Sequence, residues 1–232
     1  MNNLDISVVI PVFNSCHSIE EVVLRLIHTL EGEQKTFEII LVDDLSGDDS
    51  LIVLNELKEM DRRITVLPLD QNYGQQKALV YGMQLAKGEY IITMDDDLEH
   101  QPEDIVLLIR EIIKGFDVVY GIHQNKNYAY YRKWGSKLVD IFFTRCFHKP
   151  KHIKVSSFRI IRRSIVDKIL QDKTPFVYIT AIILRTTENI GNIYVRIGLR
   201  RYGKSNYNFF KLIKLFIRLF LFYGKQMHTP KE

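Results

Sequence analysis

Three consecutive carboxylates, Asp95, Asp96 and Asp97, follow an apolar run in the segment "YIITMDDDLEHQPED". Side by side they repel one another, and starting a helix needs only one of them. The following "HQPED" supplies its own helix start, with Pro102 in the first turn. Hard oxygen ligands of this kind hold Mg²⁺ or Mn²⁺, and such an ion bridges the phosphates of a diphosphate. Asp95 and Asp97 are therefore read as metal or substrate ligands rather than as a solvated turn. Glu99 is a further candidate ligand, with a place near a helix N-terminus as its alternative. More polar residues, Asn14, Asp43 and Asp44, close two earlier apolar runs. No G-x-G-x-x-G follows the first run and no G-x-x-x-x-G-K-[ST] occurs, so a bound nucleotide would rely on carboxylates and a metal instead of a glycine loop.

The elements that must position these groups are legible as short β-branched runs alternating with amphipathic stretches. Strands are predicted at "ISVVIPV", "FEIILVD", "ITVLPLD" and "EYIITMD". Helices are predicted at about residues 17–31, 48–60 and 75–87, with Gly88 placed to stop the third. The alternation implies an α/β fold of successive βα units around a mostly parallel sheet. In such sheets ligands bind beyond the carboxyl ends of the strands, where Asn14, Asp43, Asp44 and Asp95 to Asp97 collect. One crevice could hold them all.

A chain of 232 residues with 46% hydrophobic content suffices for one α/β domain plus an appendage. The balance of 32 basic against 28 acidic residues leaves a net charge of +4, too small to imply a nucleic-acid partner. Much of the basic excess falls after Lys126. Cys16 and Cys146 show neither metal spacing nor a disulfide framework, so both are read as packing residues in a reducing compartment. His100 and His148 are read as exposed loop residues, and no histidine pair has zinc spacing. The opening "MNNLDISVVIPVFN" lacks a basic stretch followed by a long apolar core, so a cytoplasmic location is expected rather than a signal peptide.

Three segments together resemble the family 2 glycosyltransferases of GT-A fold. "SVVIPVFN" is similar to the family's opening strand and P-x-[YF]-N loop. "EIILVDDLSGDDS" is similar to its V-D-D-x-S-x-D segment, and "MDDDLEHQPE" to its D-x-D followed by L-[QE]-x-x-P-E. The resemblance implies a nucleoside-diphosphate sugar whose base and ribose lie near Pro11, Phe13, Asn14, Asp43 and Asp44. Its diphosphate would ride on a divalent ion held by Asp95 and Asp97. "QNYGQQKALVYGM" resembles the family's N-x-G-x-x-x-A turn, which places Gly74, Gln76 and Lys77 along the donor pocket; Lys77 taken alone is equally an exposed helix lysine.

The second half resembles the branch that transfers sugars onto polyprenyl phosphate, with inversion implied by the family alone. "VVYGIHQNKNYAYYRKWGSKLVD" carries Arg132 and Ser136 in that branch's R-x-x-x-S spacing. "VSSFRIIRRSIVDKI" resembles the strand and helix closing the acceptor side, which adds Arg159 to the acceptor-phosphate candidates. "RRYGKSNYNFFKLIKL" resembles an R-x-x-G-x-S-[KN]-Y element in which Arg200 grips phosphate as a planar fork, Lys204 as a point charge, and Gly203 permits close approach. The chain departs from the branch at His123, where an arginine is common, and at Ser157, where an aspartate is common. A carboxylate base at 157 is therefore not expected, and none is needed: polyprenyl phosphate is already an anion whose oxygen attacks without losing a proton. Asp97 and its metal are assigned most of the catalytic burden, and Asp96 is the candidate for orienting the sugar.

The C-terminal "NFFKLIKLFIRLFLFYGK" places Lys211, Lys214, Arg218 and Lys225 in one sector of a helix, with apolar residues over much of the rest. Charges recurring every three or four residues exclude an ordinary membrane span. An interfacial helix on an anionic membrane surface is expected; burial against the domain, or against a second subunit in a homo-oligomer, is the alternative. The expected organisation is a catalytic domain over residues 1–205 and an interfacial helix and tail over 206–232, peripheral to the cytoplasmic face of the membrane. Two other functions remain open: transfer to a growing glycan or lipopolysaccharide, and a non-catalytic nucleotide-sugar sensor.

Overall fold

The computed structural model describes residues 5–123, 143–145, 147, 149–198 and 209–223. Seven strands form one sheet: β1 (Ile6–Val12), β2 (Phe37–Asp43), β3 (Ile64–Pro68), β4 (Tyr90–Thr93), β5 (Val118–His123), β6 (Arg159–Arg162) and β7 (Ile190–Val195). Their order across the sheet is β3-β2-β1-β4-β6-β5-β7. All neighbours are parallel except β6, which runs antiparallel to β4 and to β5. This is the mostly parallel α/β sheet expected, and its four predicted strands lie where the β-branched runs placed them.

Along β1 every residue is buried. Such burial suits a central parallel strand covered on both faces. Val8, Ile10 and Val12 enter one apolar cluster and Val9 the opposite one. Helices α1 (Ile19–Gly32), α2 (Ser50–Met60) and α4 (Ile105–Ile112) cover the first face. On the other lie α3 (Gln75–Leu85), α5 (Arg163–Gln171) and α6 (Ile179–Thr186). In α1 the inward residues Ile19, Val22, Val23, Leu26 and Leu30 recur at the spacing that keeps one stripe on the core. A 3₁₀ turn, Pro102–Asp104, leads into α4, as the proline predicted.

Gly88 is not the stop of α3, which ends at Leu85. A Cβ at Gly88 would lie 2.6 Å from the Ser7 backbone nitrogen, so the glycine is needed where the chain crosses tightly under β1. The Arg163 guanidinium secures that crossing by donating to the carbonyls of Ala86 and Gly88.

The C-terminal helix α7 (Phe209–Tyr223) divides its apolar surface. Leu215, Leu219 and Tyr223, four residues apart, pack on the cluster beneath α5 and α6. The Tyr223 hydroxyl donates to the Phe176 carbonyl at 2.7 Å and accepts from the Tyr178 amide at 3.3 Å. Ile217, Phe220, Leu221 and Phe222 remain exposed beside exposed Lys214 and Arg218. One face thus matches the buried-helix alternative, while a second apolar face stays open. No described helix is long and apolar enough to cross a membrane.

Candidate active site

β4 pairs with β1 only as far as Thr93, opposite Val9, whereas β1 and β2 run on together to Val12 and Asp43. The early departure of β4 opens a notch at the carboxyl edge. Pro11 sits in it, on the stretch of β1 that β4 no longer flanks, where a missing N–H is tolerated. Three non-glycine residues in left-handed backbone turn the chain out of these strands: Asn14 (φ 55°), Leu45 (φ 59°) and Leu98 (φ 61°). Asparagine adopts this region readily; leucine does so at a cost of about 1–2 kcal/mol, so both loops hold strain.

Side chains of the first two motifs mainly lash loops together. The Asn14 side-chain oxygen accepts from the Gly47 amide at 2.7 Å, and the Asn14 backbone N–H donates to the Ser46 hydroxyl at 3.0 Å. Asp43 is buried and receives the Ser46 amide at 3.3 Å. Asp44, also buried, accepts the amides of Tyr73 (2.7 Å) and Gly74 (2.9 Å), the latter at φ 83°. Desolvation raises the Asp44 carboxyl above its ordinary value against those two bonds. Cys16 is half-exposed rather than packed in the core, beside Asp48, whose hydrogen bond raises its thiol. Phe13, just past β1, is 40% exposed.

The acidic run is tied to these loops. Asp96 accepts from the Phe13 amide at 3.3 Å. Desolvation, aided by the charges of Asp95 and Asp97 and opposed by bonds from Ser15 and Phe13, pushes its carboxyl up to about 7. Asp95 receives Gln75 Nε2 at 2.6 Å on Oδ1 and Ser157 Oγ at 2.7 Å on Oδ2. Asp97 accepts the Glu99 amide at 2.9 Å. The run is braced from behind: Gln101 donates to the Leu98 carbonyl and accepts from Arg25, which also grips Glu103 and Glu21. Gln75, Arg25 and Ser157 were not among the sequence candidates. Gln75 carries no motif signal, and Ser157 registered only as a departure from the family pattern.

The remaining described candidates make other contacts. Gln76 accepts the Ile179 N–H on its amide oxygen at 3.0 Å, at the start of α6. Lys77 is exposed, its Nζ 5.5 Å from the Tyr73 ring centre. Arg159 is buried in β6, donating to Thr180 Oγ1 at 3.1 Å beside the Tyr120 ring. His100 is buried, not exposed: it stacks on His123 with ring centres 4.9 Å apart and meets Phe158 at 5.0 Å. Arg132, Ser136, Arg200 and Lys204, with Cys146 and His148, lie outside the described residues. Just beyond β7 the Gly198 amide donates to the Glu99 carbonyl of the acidic loop at 2.9 Å.

A family model described as Glycosyl transferase family 2 matches residues 7–170. The chain belongs to this family. Among curated family 2 relatives, the undecaprenyl-phosphate 4-deoxy-4-formamido-L-arabinose transferases of Salmonella choleraesuis (strain SC-B67) and Salmonella paratyphi B are each 36% identical over 215 residues. That match covers 90% of this chain, and the chain spans 64% of the length of those relatives. Among solved structures, glucosyl-3-phosphoglycerate synthase from Mycobacterium tuberculosis with Mn²⁺, uridine diphosphate and phosphoglyceric acid aligns with a TM-score of 0.71 at 16% identity. The alignment covers 98% of this chain and 80% of that one. The same enzyme with Mg²⁺ and uridine diphosphate gives 0.68 at 15% identity, covering 98% and 81%. At such identities the likeness establishes the fold, which is the GT-A class expected for family 2.

The donor chemistry at the notch suits Mg²⁺ or Mn²⁺: Asp95, Asp97 and Glu99 offer hard oxygen atoms at a solvent-facing edge. Among the described residues no three His, Cys, Asp or Glu side chains converge as a protein-only site. Ions that take one or two carboxylates and complete their shell with substrate phosphates and water require no such cage.

Proposed function

We propose that this family 2 chain is an inverting glycosyltransferase that moves a sugar from a nucleoside diphosphate to polyprenyl phosphate, of undecaprenyl type, at the cytoplasmic face of a membrane. The observation that carries the reading is the acidic run at the carboxyl edge, joined to β1 through Asp96 and to α3 through Asp95. The 36% identity to transferases named for undecaprenyl phosphate supports the acceptor class. In this reading Phe13, Pro11, Asn14 and Asp43 border the base and ribose, while Asp44 holds the Tyr73–Gly74 turn that closes the pocket. Asp95 and Asp97, with Glu99 nearby, would hold Mg²⁺ or Mn²⁺, which when bound supplies positive charge against the departing diphosphate. Asp96 orients the sugar. Arg132, Ser136, Arg200 and Lys204 align the acceptor phosphate, which attacks as an anion and needs no general base.

Residues 1–205 form the catalytic domain in this proposal, and 206–232 an interfacial segment. The exposed face of α7 supports it: Phe220 and Leu221 are 56% and 61% exposed beside Arg218, an apolar and basic surface fitted to anionic headgroups. The test is a panel of nucleoside-diphosphate sugars incubated with short-chain polyprenyl phosphate and read by mass spectrometry of the lipid. A glycosylated lipid phosphate is expected. Transfer to a glycan acceptor alone, or donor binding without transfer, would refute the acceptor or the enzymatic reading respectively.

A further inference from the structure

We propose that Gln75 and Ser157 are positioning residues for Asp95, fixing the plane of its carboxylate for a divalent ion. The inference rests on the reading of Asp95 as a metal ligand. Its basis is a pair of short hydrogen bonds from opposite sides: Gln75 Nε2 on Oδ1 at 2.6 Å and Ser157 Oγ on Oδ2 at 2.7 Å. Gln75 begins α3; Ser157 lies just ahead of β6. Neither donor is loose. Gln75 follows Gly74, whose amide is held by Asp44 at 2.9 Å. The Ser157 carbonyl accepts from the hydroxyl of buried Thr93 at 2.6 Å, two residues before Asp95 on the same strand line.

A free aspartate at a strand end rotates about two side-chain bonds. Each oxygen of an ionised carboxylate has two acceptor sites, and donors bonded to the two oxygens from opposite sides restrain that rotation. An amide and a hydroxyl carry no net charge, so these two donors hold the carboxylate without offsetting its charge, as a lysine or arginine in either place would. Outer partners of this kind orient metal ligands, and losing one typically lowers metal affinity by about 10–100-fold. At position 157 it is a hydroxyl that donates to Asp95, so Ser157 is part of how this site holds its ligand.

The test measures Mn²⁺ affinity of the full chain by the electron paramagnetic resonance signal of free ion, alone and with a panel of nucleoside diphosphates. Asp95→Asn, Gln75→Ala, Ser157→Ala and Ser157→Thr are compared. Expected are loss of binding in Asp95→Asn, about 10-fold weaker binding in Gln75→Ala and Ser157→Ala, and recovery in Ser157→Thr, which restores the hydroxyl. In transfer assays the two alanine variants should raise the KM for metal while kcat at saturating metal stays near that of the parent. Parent-like Mn²⁺ binding in both alanine variants, with binding lost in Asp95→Asn, overturns the positioning role alone. Unchanged binding in Asp95→Asn removes the metal reading of Asp95 and this proposal with it. A Ser157→Thr variant as weak as Ser157→Ala, with an unchanged melting midpoint, also overturns it. Gln75→Ala, at a half-buried helix start, stands by itself if Ser157→Ala does not fold.

Discussion

Strands β1 to β4 and strands β5 to β7 meet at the β4–β6 pair, and the two halves place their functional groups by different means. In the first, chemistry sits on short loops immediately beyond parallel strands, and cross-loop bonds such as Asn14 to Gly47 and Asp44 to Gly74 set those loops. Every non-glycine residue with positive φ among the described residues belongs to it: Asn14, Gln34, Leu45 and Leu98. In the second half an antiparallel strand is inserted between parallel ones, and its polar groups face inward: Arg159 is buried beneath α6, and His123 at the end of β5 stacks on His100 of the acidic loop. The comparison teaches that the first half ends in a preformed, strained edge, whereas the second is built by tertiary packing around buried Arg159.

The largest effect that would break this contrast is expected at Asp97. Asp97→Asn should lower transfer by at least about 10²–10³-fold, the scale of removing a main source of transition-state charge stabilisation, with an unchanged melting midpoint. Chelation should reproduce it, and full activity in metal-stripped enzyme would take the ion out of the account. Next comes the outer face of α7. Phe220→Ser with Leu221→Ser removes apolar area without touching Leu219 or Tyr223, so liposome partition should fall by about 10²-fold while transfer in detergent persists. Flotation at low and high salt measures this, and unchanged partition would assign the face to a second subunit.

Arg200→Ala sharpens the division between donor and acceptor. Turnover with polyprenyl phosphate should fall by about 10-fold, the worth of a charge-assisted phosphate contact, with donor affinity nearly constant by calorimetry; equal loss of donor affinity would move this arginine to the nucleotide side. The smallest effect concerns strain. Leu45 is half exposed in left-handed backbone, so Leu45→Asn should stabilise the fold by about 0.5–1 kcal/mol in urea titrations. Destabilisation would mean that the leucine side chain contributes contacts outweighing its backbone cost.

The first half was legible because its signals are local. "FEIILVD" is a strand by composition, and three adjacent aspartates at a strand end need a reason. The second half encodes less in any short window. β6 is four residues, "RIIR", with arginine at both ends, and its antiparallel place between β4 and β5 comes from pairings that periodicity does not record. His100 reads as a loop residue between Glu99 and Gln101, yet a lone bridge to Ile197 and the His123 ring bury it. Gln75 and Ser157 stand 20 and 62 residues from Asp95, too far apart in sequence for spacing to connect them. Gly88 looked like a helix stop because glycine serves both purposes, and only the proximity of Ser7 distinguishes them.

Gly198 lies against the acidic loop so closely that a Cβ there would fall inside the van der Waals shell of the Leu98 carbonyl oxygen. That oxygen belongs to backbone already turned left-handed, which cannot retreat as a flexible side chain would. Randomised by saturation mutagenesis and selected for function, position 198 would return glycine alone, whereas its neighbour Ile197, 47% exposed, would accept polar substitutes freely. A mutational tolerance map of this surface would therefore show a sharp boundary one residue wide, where Gly198 crosses the backbone of the acidic loop.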